Sequence, residues 1–380
     1  MISTVQLTSL LETPGRWTYA YVDGRGADPQ VVEESRRDSV KRRLVEAGAP
    51  DADAEAVLGA LEQPGELPSP SARYLLVRDG EVEVDESMPG ARLGPEQLGH
   101  GPIPPVLPLL RDLADDVRYL VVEAGRGDAE IRLERAGRSP ELREEVEGSV
   151  DALPKVQAGG WSHLHYQRSA EETWRHNQSD LAGIVDRLVQ ERSPRFLVVS
   201  GDVRARQLLR EQLGAAAQNL LVDVDAHTHA AGADRSALDE AIAQALQRER
   251  NQREQDVVDR ASADNGSAGA GGVEEVVAAL RQAQVDSLLL DARLVESEET
   301  LDALDAEPWV ARTDADALNA GIIGRIPVAE ALARAALLTG ARVLVAEEDA
   351  GAPDEPRSHR TPREPIAALR WPEPGAAAAG

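Results

Sequence analysis

The chain has no cysteine, a single phenylalanine and only two lysines among its 380 residues. The missing thiols exclude disulfides, thiolate zinc sites and cysteine nucleophiles together, and they fit a reducing compartment. Aromatic residues make up 3% of the chain against 42% hydrophobic, so its cores have to be assembled from Ala, Val and Leu. No apolar run approaches the ~18 residues that a membrane-spanning helix needs. The first residues, Met1-Ile-Ser-Thr-Val-Gln-Leu-Thr8, have neither the basic nor the apolar stretch of a secretory signal. The expectation is a soluble cytoplasmic protein without membrane contact. Phosphate-cradling loops are missing as well. Gly24-Arg-Gly26 and Gly125-Arg-Gly127 read as isolated turns with no following Lys-Ser/Thr, which gives no support for nucleotide binding.

Positive charge is the other scarcity. Lys and Arg total 41 against 67 Asp and Glu, a net charge of −26. Long-range repulsion of phosphate argues against bulk nucleic-acid binding. A local site is still allowed, because charges beyond roughly 8 Å are screened at physiological salt.

At this length two or three domains are expected, and the pattern of elements divides the chain into three α/β segments. The first, residues 1–112, has a strand at 17–22, a Gly-rich turn, and a polar helix carrying Val31, Val32, Val40, Leu44 and Val45. A second helix at 51–62 and strands near 73–77 and 81–84 follow, and a Pro-rich connector leads into a short helix ending near Asp115. The second segment, 116–260, opens with a hairpin of strands at 117–123 and 129–135 and a further strand near 144–150. A long helix over 164–191 then carries Trp174, Leu181 and Leu188 seven apart, widened by Ile184 and Val185. Strand 196–200, helix 203–213, strand 220–224 and a helix from Ser236 complete it, a mixed sheet in type. Residues 261–272, rich in Ala, Gly and Ser, read as a flexible linker. The third segment, 273–372, is an α/β/α sandwich with helices at 273–282, near 297–304 and at 328–339. Its strands lie at 285–290, 309–311, 342–346 and 366–371, and the Ala-Gly tail from 373 to 380 reads as disordered.

The chemically distinctive stretch is Lys155-Val-Gln-Ala-Gly-Gly-Trp-Ser-His-Leu-His-Tyr-Gln-Arg168, continuing to Trp174-Arg-His-Asn177. It holds two of the five Trp, three of the seven His and one of the two Lys. Lys155, Arg168 and Arg175 outnumber Glu171 and Glu172, so the window is net +1 on an acidic chain. Adjacent glycines let the backbone approach a surface closely, an aromatic beside them can stack on a base, and nearby His and Arg can touch phosphate. On spacing alone, an ordinary surface loop with its Trp packed on the following helix is the simpler reading.

Two other stretches carry chemistry. Asp223-Val-Asp-Ala-His-Thr-His229 places His227 and His229 two apart at a strand end, as metal-dependent hydrolases do. Only His359 follows as a further His, and a polar strand end with a turn is the better reading. Arg36, Arg37, Lys41, Arg42 and Arg43 cluster on the first polar helix. Contact with RNA and a solvated face paired with Glu33, Glu34 and Glu46 stand level as readings.

Gly-Gly-x-Ser, an Arg six residues after Ser162, and Arg-His-Asn leading into a long helix resemble the central domain of archaeo-eukaryotic class-I peptide-chain release factors and their Pelota-like relatives. Phe196-Leu-Val-Val-Ser-Gly-Asp202 resembles that domain's continuation. Gly272-Val-Glu-Glu-Val-Val-Ala-Ala-Leu280, Val285-Asp-Ser-Leu-Leu-Leu290 and Ile366-Ala-Ala-Leu-Arg-Trp371 resemble the C-terminal domain. The likeness covers about residues 116–372. The first segment lacks the Asn-Ile-Lys-Ser of the codon-reading domain, which points to the bacterial branch with its Balon-like ribosome hibernation factors.

The resemblance implies an RNase H-like mixed sheet for the central domain and an L7Ae-like α/β/α sandwich for the C-terminal one. It also implies a tRNA-mimicking partner of the ribosome, touching rRNA at the A site and peptidyl-transferase centre, with a translational GTPase as a further partner. Gly159, Gly160, Trp161, Ser162, His163, His165, Arg168, Arg175 and His176 would be the contact residues, with Arg36, Arg37, Lys41 and Arg42 as a secondary RNA contact. The family's tripeptide is Gly-Gly-Gln, whose carboxamide positions water and stabilises the oxyanion during ester hydrolysis. Trp161 stands at the Gln position. An indole has one donor and no acceptor, so efficient release is not expected, although backbone N–H donation there survives. The expectation is a hibernation or rescue factor rather than an enzyme, with no catalytic residue, metal or cofactor; active peptidyl-tRNA hydrolysis and the His227/His229 metal hydrolase are the alternatives.

Overall fold

The computed structural model describes residues 2–24, 30–63, 65, 67–148, 162–226, 233–263, 266–347 and 364–371. Two compact units emerge: residues 1–115 with 252–380, and residues 116–251.

The chain starts in the first unit with helix α1 (Thr4–Glu12), strand β1 (Trp17–Asp23), helices α2 (Gln30–Glu46) and α3 (Asp51–Glu62), strands β2 (Ser71–Arg78), β3 (Glu81–Pro89) and β4 (Gln97–Gly101), and helix α4 (Leu107–Asp115). The four strands form an antiparallel sheet in the order β3-β2-β1-β4. Strand alternation divides its side chains. Ala20, Val22, Leu75 and Val77 pack on Val40, Leu44, Val57 and Leu58 of α2 and α3. Trp17, Tyr21, Tyr74 and Leu76 face the larger core on the other side. Of the apolar stripe expected on α2, Val40 and Leu44 are buried, whereas Val45 is 47% exposed. Neither α1 nor β4 is among the elements expected from the sequence.

The central unit contains β5 (Arg118–Ala124), β6 (Asp128–Arg135), β7 (Leu142–Glu147), α5 (Ser162–Arg192), β8 (Leu197–Gly201), α6 (Val203–Gln212), α7 (Ala215–Asn219), β9 (Leu221–Asp223) and the first part of α8 (Ser236–Ser262). Its mixed sheet runs β7-β6-β5-β8-β9, antiparallel across the opening hairpin and parallel from β5 to β9. One face, with Leu120, Val122 and Ile131, packs on Leu181, Val185 and Leu188 of α5 and on Leu209 of α6. The other face, with Tyr119, Val121 and Val198, packs on Leu238 and Ala245 of α8. Burial on both faces explains the near-continuous apolar runs of β5 and β8.

The chain then returns to the first unit with β10 (Gly269–Gly271), α9 (Gly272–Arg281), β11 (Val285–Asp291), β12 (Thr300–Leu304), β13 (Val310–Ala311), β14 (Ile322–Pro327), α10 (Val328–Leu338), β15 (Arg342–Ala346) and β16 (Ile366–Leu369). A four-stranded sheet β10-β16-β11-β15 packs on α9 and α10 on one face. Its other face meets Val257 and Ala261 from the end of α8, an α/β/α arrangement. β13-β12-β14 make a separate antiparallel sheet. Trp17, Tyr74 and Leu109 share one core with Val276, Leu288 and Leu332, so the segments before and after the central unit are built around the same apolar cluster.

Two expectations are corrected here. Residues 261–272 are no free linker: Ala261 and Ser262 end α8, and residues 269–271 pair with β16. A Cβ at Gly269 would lie 2.2 Å from the Ala261 carbonyl oxygen, so glycine there serves close packing rather than flexibility. Residues 297–304, expected as helix, contain strand β12, and β14 was not anticipated. Among the described residues, no helix is long and apolar enough to cross a membrane.

Candidate nucleic-acid interface

Residues 149–161 lie outside the described residues, and so do the side chains of residues 162–170. The proposed contacts Gly159, Gly160, Trp161, Ser162, His163, His165 and Arg168 therefore have no side-chain geometry here, although the backbone of α5 begins at Ser162. Arg175 and His176, two turns or more further along the same helix, are exposed. His176 Nε2 lies 3.6 Å from Asp180 Oδ2, one turn on.

The described part of α5 is fixed against two turns of the sheet. Gln178, 2% exposed, donates from Nε2 to the Gly125 carbonyl at 3.0 Å. Asn177 Nδ2 reaches the Arg126 carbonyl at 3.4 Å. A Cβ at Gly148 would come within 2.5 Å of the Asn177 amide, and the Gly148 amide donates to the Gly127 carbonyl at 2.8 Å. The chain therefore enters the loop from a fixed point beside α5.

The Arg126 guanidinium lies 4.8 Å from the centre of the Trp174 ring and 3.1 Å from Asp202. Asp202 in turn caps α6, accepting from the amides of Arg204 at 2.9 Å and Ala205 at 3.1 Å. Partial burial pushes the Asp202 carboxyl up, but the Arg126 and amide donors outweigh it and hold the carboxyl below its ordinary value. Arg204 pairs back to Glu171 on α5. Gly125-Arg-Gly127 is thus not an isolated turn: it braces the helix that follows the Gly-Gly-Trp loop. No local signal pairs Arg126 with Trp174, because the contact spans strands β6 and β7 and the loop.

The other sequence candidates resolve differently. Asp223 accepts from Arg206 at 2.6 Å and from Arg210 at 2.9 Å, and Asp225 pairs with Arg206. The carboxylates nearest His227 and His229 are thereby committed to arginine, while the two histidines fall outside the described residues. Among the described residues, no group of three or more His, Asp or Glu could hold a metal ion.

The basic cluster of α2 is internally paired. Arg36 bonds Glu33 at 3.6 Å and the carbonyls of Asp23 and Gly24, while Arg42 meets Glu46 at 4.0 Å. Arg37 pairs with Glu62, Lys41 with Glu55 and Arg43 with Glu96. Two of these partners lie on α3 and one before β4, beyond the reach of helix periodicity.

Residues 118–267 match the model of bacterial archaeo-eukaryotic release factor family 2. This segment belongs to that family. It takes in the central unit from β5 onward, the brace around Arg126 and all of α8. Over nearly its whole length the chain is also similar to an archaeal translation termination factor, aRF1. Identity is 16%, coverage is 97% of this chain and 99% of that one, and the TM-score is 0.25. Archaeoglobus fulgidus Pelota is 14% identical over 80% of each chain, with a TM-score of 0.36. Saccharomyces cerevisiae Dom34, a termination-like factor of RNA quality control that interacts with Hbs1, is 10% identical over 99% of this chain and 94% of that one, with a TM-score of 0.39. These superpositions are loose, and the family assignment rests on the matched segment. No curated protein matches the chain.

Proposed function

We propose that the chain is a ribosome-binding factor that occupies the A site as a tRNA mimic and acts in hibernation or rescue, without efficient peptidyl-tRNA hydrolysis. The observation that carries this reading is a release-factor-family segment whose Gly-Gly tripeptide continues with Trp161 instead of Gln. An indole cannot accept a hydrogen bond from water, and its ring has the area and face to stack on an rRNA base.

The braced base of α5 supports the same reading. A docking loop gains affinity when its support is already ordered, because less side-chain and backbone entropy is lost on binding. Arg126, Asn177 and Gln178 supply that order on the described side of the loop. The central unit is also far less acidic than the rest: it holds 18 of the 41 basic residues and 23 of the 67 acidic ones. Its net charge of −5 leaves −21 on the other unit, and that difference favours the central unit as the part facing RNA. A translational GTPase is the partner class proposed for the remainder of the chain, and a ribosomal partner implies a cytoplasmic location.

The test combines sedimentation with peptide release. The purified chain is expected to pellet with 70S ribosomes, Trp161→Ala to pellet less, and neither to release peptide from ribosomes with a vacant A site. Trp161→Gln separates the readings further. Rapid release by the unaltered chain would make it a hydrolase, and absence from the ribosomal pellet would end the proposal.

A further inference from the structure

Three outer strands of the sheets are guarded against pairing with another chain. β3 carries Glu81, Glu83 and Asp85, β7 carries Arg143, Glu144, Glu145 and Glu147, and β14 carries Arg325 and Pro327. Breaks in register add to the guard on β3 and β14. β4, the outer strand beside β1, has none of these devices. Its sequence, Gln97-Leu-Gly-His-Gly101, holds no acid, no Lys or Arg and no proline, and its pairing with β1 is unbroken.

The direction of its backbone groups follows from β1. The Gly24 amide donates to the Ser71 carbonyl of β2 at 2.6 Å. In an antiparallel ladder this turns the even-numbered residues of β1 toward β2 and the odd-numbered ones toward β4. Trp17, Tyr19 and Tyr21 stand opposite Gly101, Gly99 and Gln97, which therefore spend their amides and carbonyls on β1. Leu98 and His100 turn theirs outward. Arg16 Nη2 takes the outward His100 carbonyl at 3.3 Å. Among the described residues, the Leu98 amide and carbonyl and the His100 amide have no hydrogen-bond partner.

This edge is fixed from behind. His100 Nδ1 lies 2.9 Å from Thr18 Oγ1, and that hydroxyl donates to Asp53 Oδ2 at 2.7 Å. Asp53 itself is 1% exposed. A Cβ at Gly99 would collide with the Tyr19 ring and hydroxyl, so glycine there lets Tyr19 lie across the strand. Burial, then the neighbouring Arg16, holds the His100 imidazole below its ordinary value against the pull of Asp53, which keeps the edge uncharged at neutral pH. An edge already ordered loses less entropy when a partner joins it.

The charge beside β4 departs from the −21 of its unit. Helix α2 packs in the same cluster as Leu98, and its five basic and four acidic residues give it a net charge of +1. Arg16, among the described residues, has no carboxylate in ion-pair reach. We infer that the free edge of β4 docks an extended acidic segment of a partner protein, which adds to the sheet as a fifth strand. The outward amides and the Leu98 carbonyl supply the main-chain bonds, and Arg16 takes a carboxylate at the His100 end. A second copy of this chain fits the edge less well, because it would bring two strongly acidic units together. The inference is independent of the ribosomal reading.

The test uses the full-length chain and a labelled nonapeptide of alternating valine and glutamate, followed by anisotropy and by hydrogen exchange. Bound peptide should slow exchange of the Leu98 and His100 amides roughly tenfold or more. The Gly99 amide, already bonded to β1, should change little. Methylating alternate backbone nitrogens of the peptide keeps its charge but removes donors, and should abolish binding. Arg16→Gln should weaken binding about three- to fivefold; Arg16 is exposed and holds a carbonyl bond alone, so the fold tolerates the change. Equal binding by the methylated peptide, unchanged exchange at Leu98 and His100, or no binding up to millimolar peptide would overturn strand addition. Equal or tighter binding of a valine–lysine peptide would overturn the acidic partner. Protection of the same two amides that grows with protein concentration, without peptide, would make a second copy the occupant and overturn the proposal as well.

Discussion

Arg132 shows how the central unit handles its charge. It is 5% exposed in the middle of the sheet, and its guanidinium reaches Glu123 at 2.5 Å, Glu130 at 3.0 Å and Glu134 at 2.7 Å. Arg235 at the start of α8 adds a 3.0 Å pair to Glu123, and the Tyr119 hydroxyl donates to Glu134 at 2.9 Å. Removing the central cation strands buried carboxylates, so Arg132→Met should cost about 3–5 kcal/mol in a urea melt. A second residue, Gly201, sits at φ +116°, where a Cβ would come 2.2 Å from the Ala124 carbonyl oxygen. Gly201→Ala should therefore cost at least about 1–2 kcal/mol by the same measurement. Neither constraint is legible in the sequence, because the decisive partners, Glu123 for Arg132 and Ala124 for Gly201, come from a neighbouring strand. Trp161 differs: the role proposed for it is read from the tripeptide around it rather than from contacts from afar.

Elements with a strong apolar period were legible, and those without one were not. The Leu181, Val185 and Leu188 stripe predicted helix over 164–191, and α5 runs Ser162–Arg192. Strand β12 stands where a helix is expected, because Leu301, Asp302, Ala303 and Leu304 are all buried and lack the two-residue alternation that marks a half-exposed strand. β14 is hidden by Gly324, Arg325 and Pro327, which interrupt its three isoleucines. Helix α1 did carry a signal, the Ser3–Gln6 capping box.

One inter-element contact has a measurable pH signature. Glu330 in the first turn of α10 accepts from the amides of Val106 and Leu107 at the start of α4. Desolvation pushes its carboxyl up to about 7 against the pull of those donors and of Arg334. A carboxyl raised above its unfolded value favours the protonated folded state. Its stabilising contribution is present below pH ~4.5 and is lost as pH rises through about 7. Part of the Glu330 side chain still meets solvent, which reduces the size of the effect but not its sign. Glu330→Gln should flatten the pH dependence of stability between those limits, as read by melts across the range.

At the scale of the whole molecule, the first and last parts of the chain depend on one another. Trp17, Tyr74 and Leu76 share a core with Val328, Leu332 and Ala336, and Arg111 pairs with Glu347. A fragment of residues 1–115 should expose that face and melt without a cooperative transition by circular dichroism. A sharp transition in the isolated fragment would contradict the shared core. The pattern of strands and helices was readable in each segment separately, but the sharing was not, because sequence periodicity says which face is apolar and not what covers it.

The ribosomal reading joins the braced helix α5, the Gly-Gly-Trp loop and the low negative charge of the central unit. Its most direct measurement is chemical footprinting of the large-subunit rRNA in 70S particles bound by the full chain. Protection of bases in the peptidyl-transferase centre, lost in Trp161→Ala while the complex still forms at raised protein concentration, is the expected result. Stable binding with no protection there, or protection unchanged by Trp161→Ala, would contradict it.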